Sequence, residues 1–297
     1  MSESRGLTKL ALAALIAHAL FSIFSAYAFA TFLHPPYPEW LNTPANQRAM
    51  AIGYTYGGQT TVLLGAIAGL AFLVSTMGKR LALTVFGVAF VLSLSSELAG
   101  TATGFPFGAY GYSDQLGYRI LGLVPFNIPT SWFYMLVASL AICSRLMKVR
   151  DDSRTRWWWA FVASFVLTAW DVAMDPAMVR THHWLWQVGD LSNATALSRF
   201  FGAPVFYGMP LTNWLGWILT GTLVARVMLA VVPPGKWAAA VSPSRFPLAL
   251  YAVNGILPVT ICLVWGMAPA GILGALAMLI PLVAALRLPA QTTSLHH

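Results

Sequence analysis

The sequence predicts an all-α fold, a polytopic integral membrane bundle of about eight (seven to eight) transmembrane helices with both termini cytoplasmic. Three observations carry this expectation. Hydrophobic residues make up 58% of the 297-residue chain and charged residues 9%, against about 25% charged in an ordinary soluble domain. The mean hydropathy is +0.69. The apolar residues fall into runs of roughly 20, the length a helix needs to cross a hydrocarbon core. Together these exclude a disordered chain, a fibrous protein, a disulfide scaffold and a soluble enzyme. The 17 Lys and Arg outnumber the 9 Asp and Glu, giving a net charge of +8. They lie in short clusters between apolar runs, which is the pattern of membrane topology and not of a nucleic-acid-binding face.

The spans follow in order. The first, about 10–33, begins behind Arg5 and Lys9. Ala26-Tyr27-Ala28 resembles a signal cleavage site, so a signal peptide is the alternative, but the apolar stretch is long for one and favours a retained helix. The second (53–76) and third (82–103) are separated by Lys79-Arg80. The fourth, 128–147, ends at a basic segment that continues through Arg145, Lys148, Arg150, Arg154 and Arg156 to the fifth, 157–178. The sixth is 211–232, and Lys236 and Arg245 lie between it and the seventh, 247–266. The eighth, 268–287, follows so tightly at Gly266-Met267-Ala268-Pro269 that the last two read either as separate spans or as one broken hairpin.

Charge tests the order. With the N-terminus inside, thirteen basic residues fall in inner segments: those just named before span six, together with Arg226, Lys236, Arg245 and Arg287. The other four, Arg48, Arg119, Arg180 and Arg199, fall outside. This bias predicts a multi-pass protein of the cell (cytoplasmic) membrane. No internal repeat or low-complexity segment is evident, so residues 1–297 read as a single transmembrane domain. The outer loops 34–52, 104–127 and 180–210 are long and rich in Pro, Gly, Trp and Tyr, which suggests that the site opens on that side. Cys143 and Cys262 lie inside apolar runs and read as core residues.

A charge inside a membrane is costly and is a functional hypothesis by default. Three acids lie within spans: Glu97, Asp171 and Asp175. Topology puts all three in the outer third, level with Asn127, Thr130 and Ser131 at the start of span four and with Thr212-Asn213-Trp214 at the start of span six. Asp171 and Asp175 are four apart and share a helix face. Pro176 lacks an amide proton, so the helix is expected to end or kink there. Two carboxyls in a poorly solvated site do not readily both ionise, so the pair can hold a neutral acid beside a carboxylate. That combination suits general acid–base chemistry. The alternative is a structural role, with the acids bonding neighbouring helices or Arg180.

Gly104-Phe105-Pro106-Phe107-Gly108-Ala109-Tyr110-Gly111-Tyr112 follows Glu97. Its glycines allow close backbone approach and its rings offer π faces; an interfacial aromatic belt is the other reading. Trp184, Trp186, Trp214 and Trp217 read as belt and packing residues. His34, His182 and His183 share the outer side without a metal-ligand pattern, and no metal site is expected. His296 and His297 look incidental. Asn193-Ala194-Thr195 fits a glycosylation sequon, a weak pattern by itself. No phosphate-binding Gly loop, dinucleotide fingerprint or serine elbow is present.

Glu97-Leu98-Ala99-Gly100 leading into Thr103-Gly104-Phe105-Pro106-Phe107-Gly108, then Tyr110 and Tyr112-Ser113-Asp114, resembles the CruF-type carotenoid 1,2-hydratases, which include the archaeal bisanhydrobacterioruberin hydratases. Pro129-Thr130-Ser131-Trp132-Phe133, Ala169-Trp170-Asp171 with Asp175-Pro176-Ala177-Met178-Val179, and Gly208-Met209-Pro210-Leu211-Thr212-Asn213-Trp214 with Gly216-Trp217 are similar to further segments of that family. The family-like core spans about 95–222. The resemblance implies addition of water to the terminal C-1′,2′ double bond of an acyclic, lycopene- or γ-carotene-like end group, giving a tertiary alcohol. It implies a lipophilic carotenoid and water as partners, within membrane lipid, and neighbouring enzymes of carotenoid biosynthesis as further candidates.

Chemistry then suggests roles. One of Asp171 and Asp175 protonates the alkene, and the other or Glu97 deprotonates the incoming water. Phe107, Tyr110 or Trp170 faces the cation and Asn213 holds the water. Hydration changes no oxidation state and calls for no cofactor. Three rivals share parts of this pattern. A UbiA-like membrane prenyltransferase needs a second Asp-rich motif and clustered Lys/Arg, which the chain lacks. A membrane lycopene cyclase would start from the same protonation. A proton-coupled transporter would place acids in both halves.

Overall fold

The computed structural model describes residues 2–290 other than Val188, Asp190, Leu191, Asn193 and Ala194. The sequon asparagine, the outer-loop Asp190, His296 and His297 lie outside the described residues. Ten α-helices run α1 (Ser2–Thr31), α2 (Pro44–Met77), α3 (Lys79–Thr103), α4 (Asn127–Leu146), α5 (Ser153–Arg180), α6 (Ala196–Gly202), α7 (Leu211–Val231), α8 (Pro234–Val241), α9 (Phe246–Val264) and α10 (Ala268–Arg287). Seven of them are long and apolar enough to cross a membrane: α1, α2, α3, α5, α7, α9 and α10. The expected fourth span is α4, whose 20 residues reach about 30 Å at 1.5 Å per residue. Asn127, Thr130 and Ser131 dilute its hydropathy, and it is enclosed by α2, α3, α5, α8, α9 and α10. All of its residues from Pro129 to Arg145 are buried.

Local chemistry moves two boundaries outward from the expected spans. α2 begins at Pro44, well before residue 53, because Thr43 Oγ1 accepts the Asn46 N–H at 3.3 Å and Pro44 presets the first turn. α5 begins at Ser153 because Asp152 Oδ1 accepts the Thr155 N–H at 2.7 Å. A larger departure is at Pro176, where α5 neither ends nor breaks but continues to Arg180. Tertiary packing overrides the proline: Ala173 and Ala177 are buried against Ile261, Cys262 and Ala270, and the Cys262 thiol donates to the Ala173 carbonyl at 3.2 Å. α9 and α10 are two complete helices that turn at Gly266, with φ of 81°. Cys143 and Cys262 are both free and buried.

The helices alternate in direction, so the N-terminal end of α1 and the C-terminal end of α10 lie at the same end of the bundle as Arg145. There the Arg145 guanidinium, 5% exposed, donates to the carbonyls of Ser242 at 2.6 Å, Ser244 at 3.2 Å and Ala285 at 3.4 Å. It ties α4 to the α8–α9 turn and to α10. Each charge-assisted bond is worth roughly 1.5–3 kcal/mol, so Arg145→Leu is expected to lower the thermal midpoint of the purified protein.

At the opposite end, short strands cap the bundle. β1 (Tyr110–Tyr112) pairs antiparallel with β4 (Trp184–Trp186), Tyr110 opposite Trp186 and Tyr112 opposite Trp184. β2 (Arg119–Ile120) pairs with β3 (Val124–Pro125).

Candidate active site

Alternate residues of a strand share a face. Tyr110 and Tyr112 on β1, with Trp184 and Trp186 on β4, therefore form a four-ring face, and it is turned down onto the ends of α3 and α5. The Tyr110 hydroxyl donates to Glu97 Oε2, and the Tyr112 hydroxyl donates to the same oxygen at 2.7 Å. Trp132 Nε1, from α4, donates to Glu97 Oε1 at 3.1 Å. The two strand tryptophans serve α5 instead. Trp184 Nε1 donates to Asp175 Oδ1 at 2.7 Å, and Trp186 Nε1 reaches Oδ1 at 3.2 Å and Oδ2 at 3.1 Å. These rings were expected to be belt residues; they hydrogen-bond a buried carboxyl.

Phe107 anchors the loop between α3 and β1. A Cβ on Gly100 would come within 2.7 Å of its ring and one on Gly216 within 2.6 Å, so the ring fills a slot between α3 and α7 that only glycine leaves open. Thr212 Oγ1 holds the Phe107 carbonyl at 3.0 Å. Gly216→Val is expected to displace Phe107 and the ribbon after it, with a loss of activity that exceeds any loss of stability. The comparison of product formation with the thermal midpoint checks it.

Asn213, in the first turn of α7, bridges the two aspartates. Its Nδ2 donates to Asp171 Oδ2 at 2.9 Å and to Asp175 Oδ2 at 3.3 Å, with Met209 Sδ at 2.9 Å. Glu97 is 3% exposed and each aspartate 1%. Of the six carboxyl oxygens, Asp171 Oδ1 alone accepts no hydrogen bond. The Trp214 indole N–H lies near Asp171 but is likewise unbonded. Arg180, one turn past Asp175, is exposed, and the ion pairs among the described residues, Arg119–Asp114 and Arg150–Asp152, involve none of the three acids.

These groups line a cavity of about 240 Å³. Glu97, Phe107, Tyr110, Trp170, Asp171, Asp175 and Asn213 are all on its wall. Trp170 meets Trp217 edge-on at 6.1 Å, and Trp217 stacks on Trp132 at 4.6 Å. Sequence reasoning missed Tyr112, Trp132, Trp184 and Trp186 as carboxyl donors. The period-2 pairs Tyr110-Gly111-Tyr112 and Trp184-Leu185-Trp186 are the signal that could have found them. It also passed over His18, which is fully buried in α1 with neither ring nitrogen hydrogen-bonded, and Asn254, which lines the cavity and accepts from Tyr134 at 3.2 Å.

The outer histidines are dispersed. His34 packs on the Trp265 ring, whereas His183 Nδ1 lies 2.7 Å from Thr181 Oγ1. Burial, with His182 beside it, pushes His183 down to about 4. No group of three or more His, Cys, Asp or Glu with metal-binding geometry occurs among the described residues.

Burial first, and then the Glu97 charge, hold the Tyr110 and Tyr112 hydroxyls well above the usual tyrosine value of 10.0. Both remain proton donors at any physiological pH. The sign follows from the raised folded value. Below pH 10 both states carry neutral tyrosines and the stabilisation is complete, and above it the unfolded chain ionises first. A fall in thermal midpoint is therefore expected as pH rises beyond 10, and Tyr112→Phe should blunt it.

Two comparisons with known proteins find likenesses. Bisanhydrobacterioruberin hydratase of Haloarcula japonica is 30% identical over 131 residues, 44% of this chain and 39% of that protein. The match thus spans about two fifths of that relative's length. No solved structure matches. The family described as carotenoid biosynthesis protein matches residues 57–281, well over half of the chain. That range is wider than the 95–222 core and takes in every group around the three acids. The chain belongs to the carotenoid biosynthesis protein family.

Proposed function

We propose that this protein is a carotenoid hydratase that adds water across the terminal C-1′,2′ double bond of an acyclic end group. The observation that carries the reading is the aspartate pair. Asp171 and Asp175 are buried on one helix face, joined through Asn213, with no ion pair to either among the described residues, on the wall of an aromatic-lined cavity. The hydratase name of the Haloarcula japonica relative supports the same chemistry.

Two buried carboxyls without a counter-ion share a proton instead of both ionising. Asp175 receives three donors, the surroundings of a carboxylate, and Asp171 receives one. Asp171 is therefore the acid. Its proton goes to C-2′, the π electrons form the new C–H bond, and positive charge develops at the tertiary C-1′. The faces of Trp170, Tyr110 and Phe107 each stabilise such a cation by about 0.5–2 kcal/mol. Water attacks C-1′ and passes a proton to Asp175, and exchange through water returns that proton to Asp171. One water is consumed and one tertiary alcohol formed. Glu97 holds the ribbon and lends negative charge to the cation.

The substrate is a lycopene- or γ-carotene-like lipid taken from the cell membrane, and other enzymes of carotenoid biosynthesis are the partners this implies. The test is expression in a lycopene-producing bacterium, followed by mass analysis of extracted pigments after growth in isotopically labelled water. A product heavier by one water and carrying the labelled oxygen is expected. An isomer of unchanged mass would instead indicate cyclisation. No new pigment from lycopene or from γ-carotene would overturn the reading.

A further inference from the structure

The cavity of about 240 Å³ is smaller than ordinary small-molecule sites of about 300–1,000 Å³. A full-length polyene cannot be enclosed in it. If the acids act on a terminal double bond, as proposed above, the remainder of the chain must leave through an opening, and the wall of the cavity indicates where. Phe24 on α1 and Gly53 on α2 both line the cavity and are both exposed on the bundle surface, Phe24 by 60%. α1 and α2 pack against each other, and the open space lies beside the glycines of α2. A Cβ on Gly53 or Gly58 would meet nothing within 4 Å, and one on Gly57 would find only the Phe21 ring, at 4.0 Å. Phe24 lies seven residues before the end of α1 and Gly53 nine after the start of α2, about 10–14 Å below the outer helix ends. Phe24 falls inside the first expected span and Gly53 at the outer edge of the second. Ser22 and Ser25, which also line the cavity, are short enough to keep the passage clear.

We propose that the seam between α1 and α2 is a lateral portal through which the polyene passes from the bilayer. It stays threaded there, with only the reacting end group inside. The family match starts at Gly57, so α1 and the first turns of α2 lie outside it. The acid cluster handles the end group, and Phe21, Phe24 and the glycines of α2 select the stretch of polyene behind it.

The experiment uses the full chain in lipid nanodiscs, with lycopene as the probe. Quenching of intrinsic Trp fluorescence reports binding, and pigment mass reports hydration. Gly57→Phe should weaken lycopene binding about 10–200-fold, the range for a hydrophobic pocket that no longer fits, while Gly57→Ala stays near wild type. Binding and hydration at the wild-type level in a folded Gly57→Phe protein would overturn the portal.

Should Gly57→Phe fail to fold, a photoreactive phenylalanine analogue at position 24 should cross-link lycopene. The same group at Leu219, a lipid-facing position of α7 that is 43% exposed, should not. Equal cross-linking at both positions, or none at position 24 while binding persists, would also overturn it. Wild-type binding of lycopene and of γ-carotene without hydration of either would sink the hydratase reading and leave the portal standing. No binding of either pigment by wild type would sink both.

Discussion

Asp171→Asn is expected to lower water addition by about 10²–10⁴-fold, the usual worth of a positioned general acid, with lycopene binding nearly unchanged. The substitution is close to isosteric. The new amide oxygen can still accept from Asn213, and the new NH₂ group takes the place of the one carboxyl oxygen that bonds nothing. Fold and cavity should survive, and only the transferable proton is lost. Initial rates of alcohol formation in membranes, set against Trp quenching by lycopene, separate the two effects. Asp175→Asn should be less clean. An NH₂ group on either side of that residue would confront an indole N–H of Trp184 or Trp186, so the strand ribbon should shift and binding should fall together with rate. If Asp171→Asn retained full activity, the acid would have to be sought elsewhere.

Glu97→Gln is expected to cost both activity and stability. Each Glu97 oxygen is committed, one to Trp132 and the other to Tyr110 and Tyr112. An amide offers one acceptor oxygen, so either the indole loses its acceptor or the two hydroxyls must turn to accept from the NH₂ group and leave their own protons without one. A buried polar group left unsatisfied costs about 1–3 kcal/mol. The larger effect is at a distance. Tyr110 and Tyr112 are paired residue for residue with Trp186 and Trp184, so loosening β1 from Glu97 loosens β4 from Asp175. A drop in thermal midpoint together with a loss of rate beyond tenfold is expected. Tyr112→Phe, which removes one donor and keeps the ring, should give a smaller loss of both. The midpoint and the rate measured on the same preparations decide between a structural and a catalytic share.

Hydropathy made the spans legible, because a helix in hydrocarbon must be apolar over its whole crossing. The cost of an intramembrane charge made the acids legible for the same reason. Glu97, Asp171, Asp175 and Asn213 could thus be placed at one depth before any packing was known. The ribbon was not legible. Its two strands are three residues each and lie over 70 positions apart, too short for a pattern and too distant for a local signal. Trp184 and Trp186 suit a membrane belt equally well by composition, and only pairing with β1 turns them inward. Pro176 does not end α5, because its local preference is smaller than the packing of α5 on α9 and α10. His18 was not legible because a lone histidine inside an apolar run carries no pattern of its own.

The enclosure of α4 bears on how the protein is made. A segment that faces protein on every side has no lipid contact in the finished fold, and its Asn127, Thr130, Ser131 and Arg145 would be poorly housed in lipid. It gains little by leaving the translocation channel alone. α5, α9 and α10, which complete its surroundings, are synthesised after it. Integration of α4 must therefore wait, at the channel or against α2 and α3, until those later helices arrive. Substitutions that speed or delay them should change how much protein reaches the membrane correctly threaded, even where the finished molecule would tolerate them.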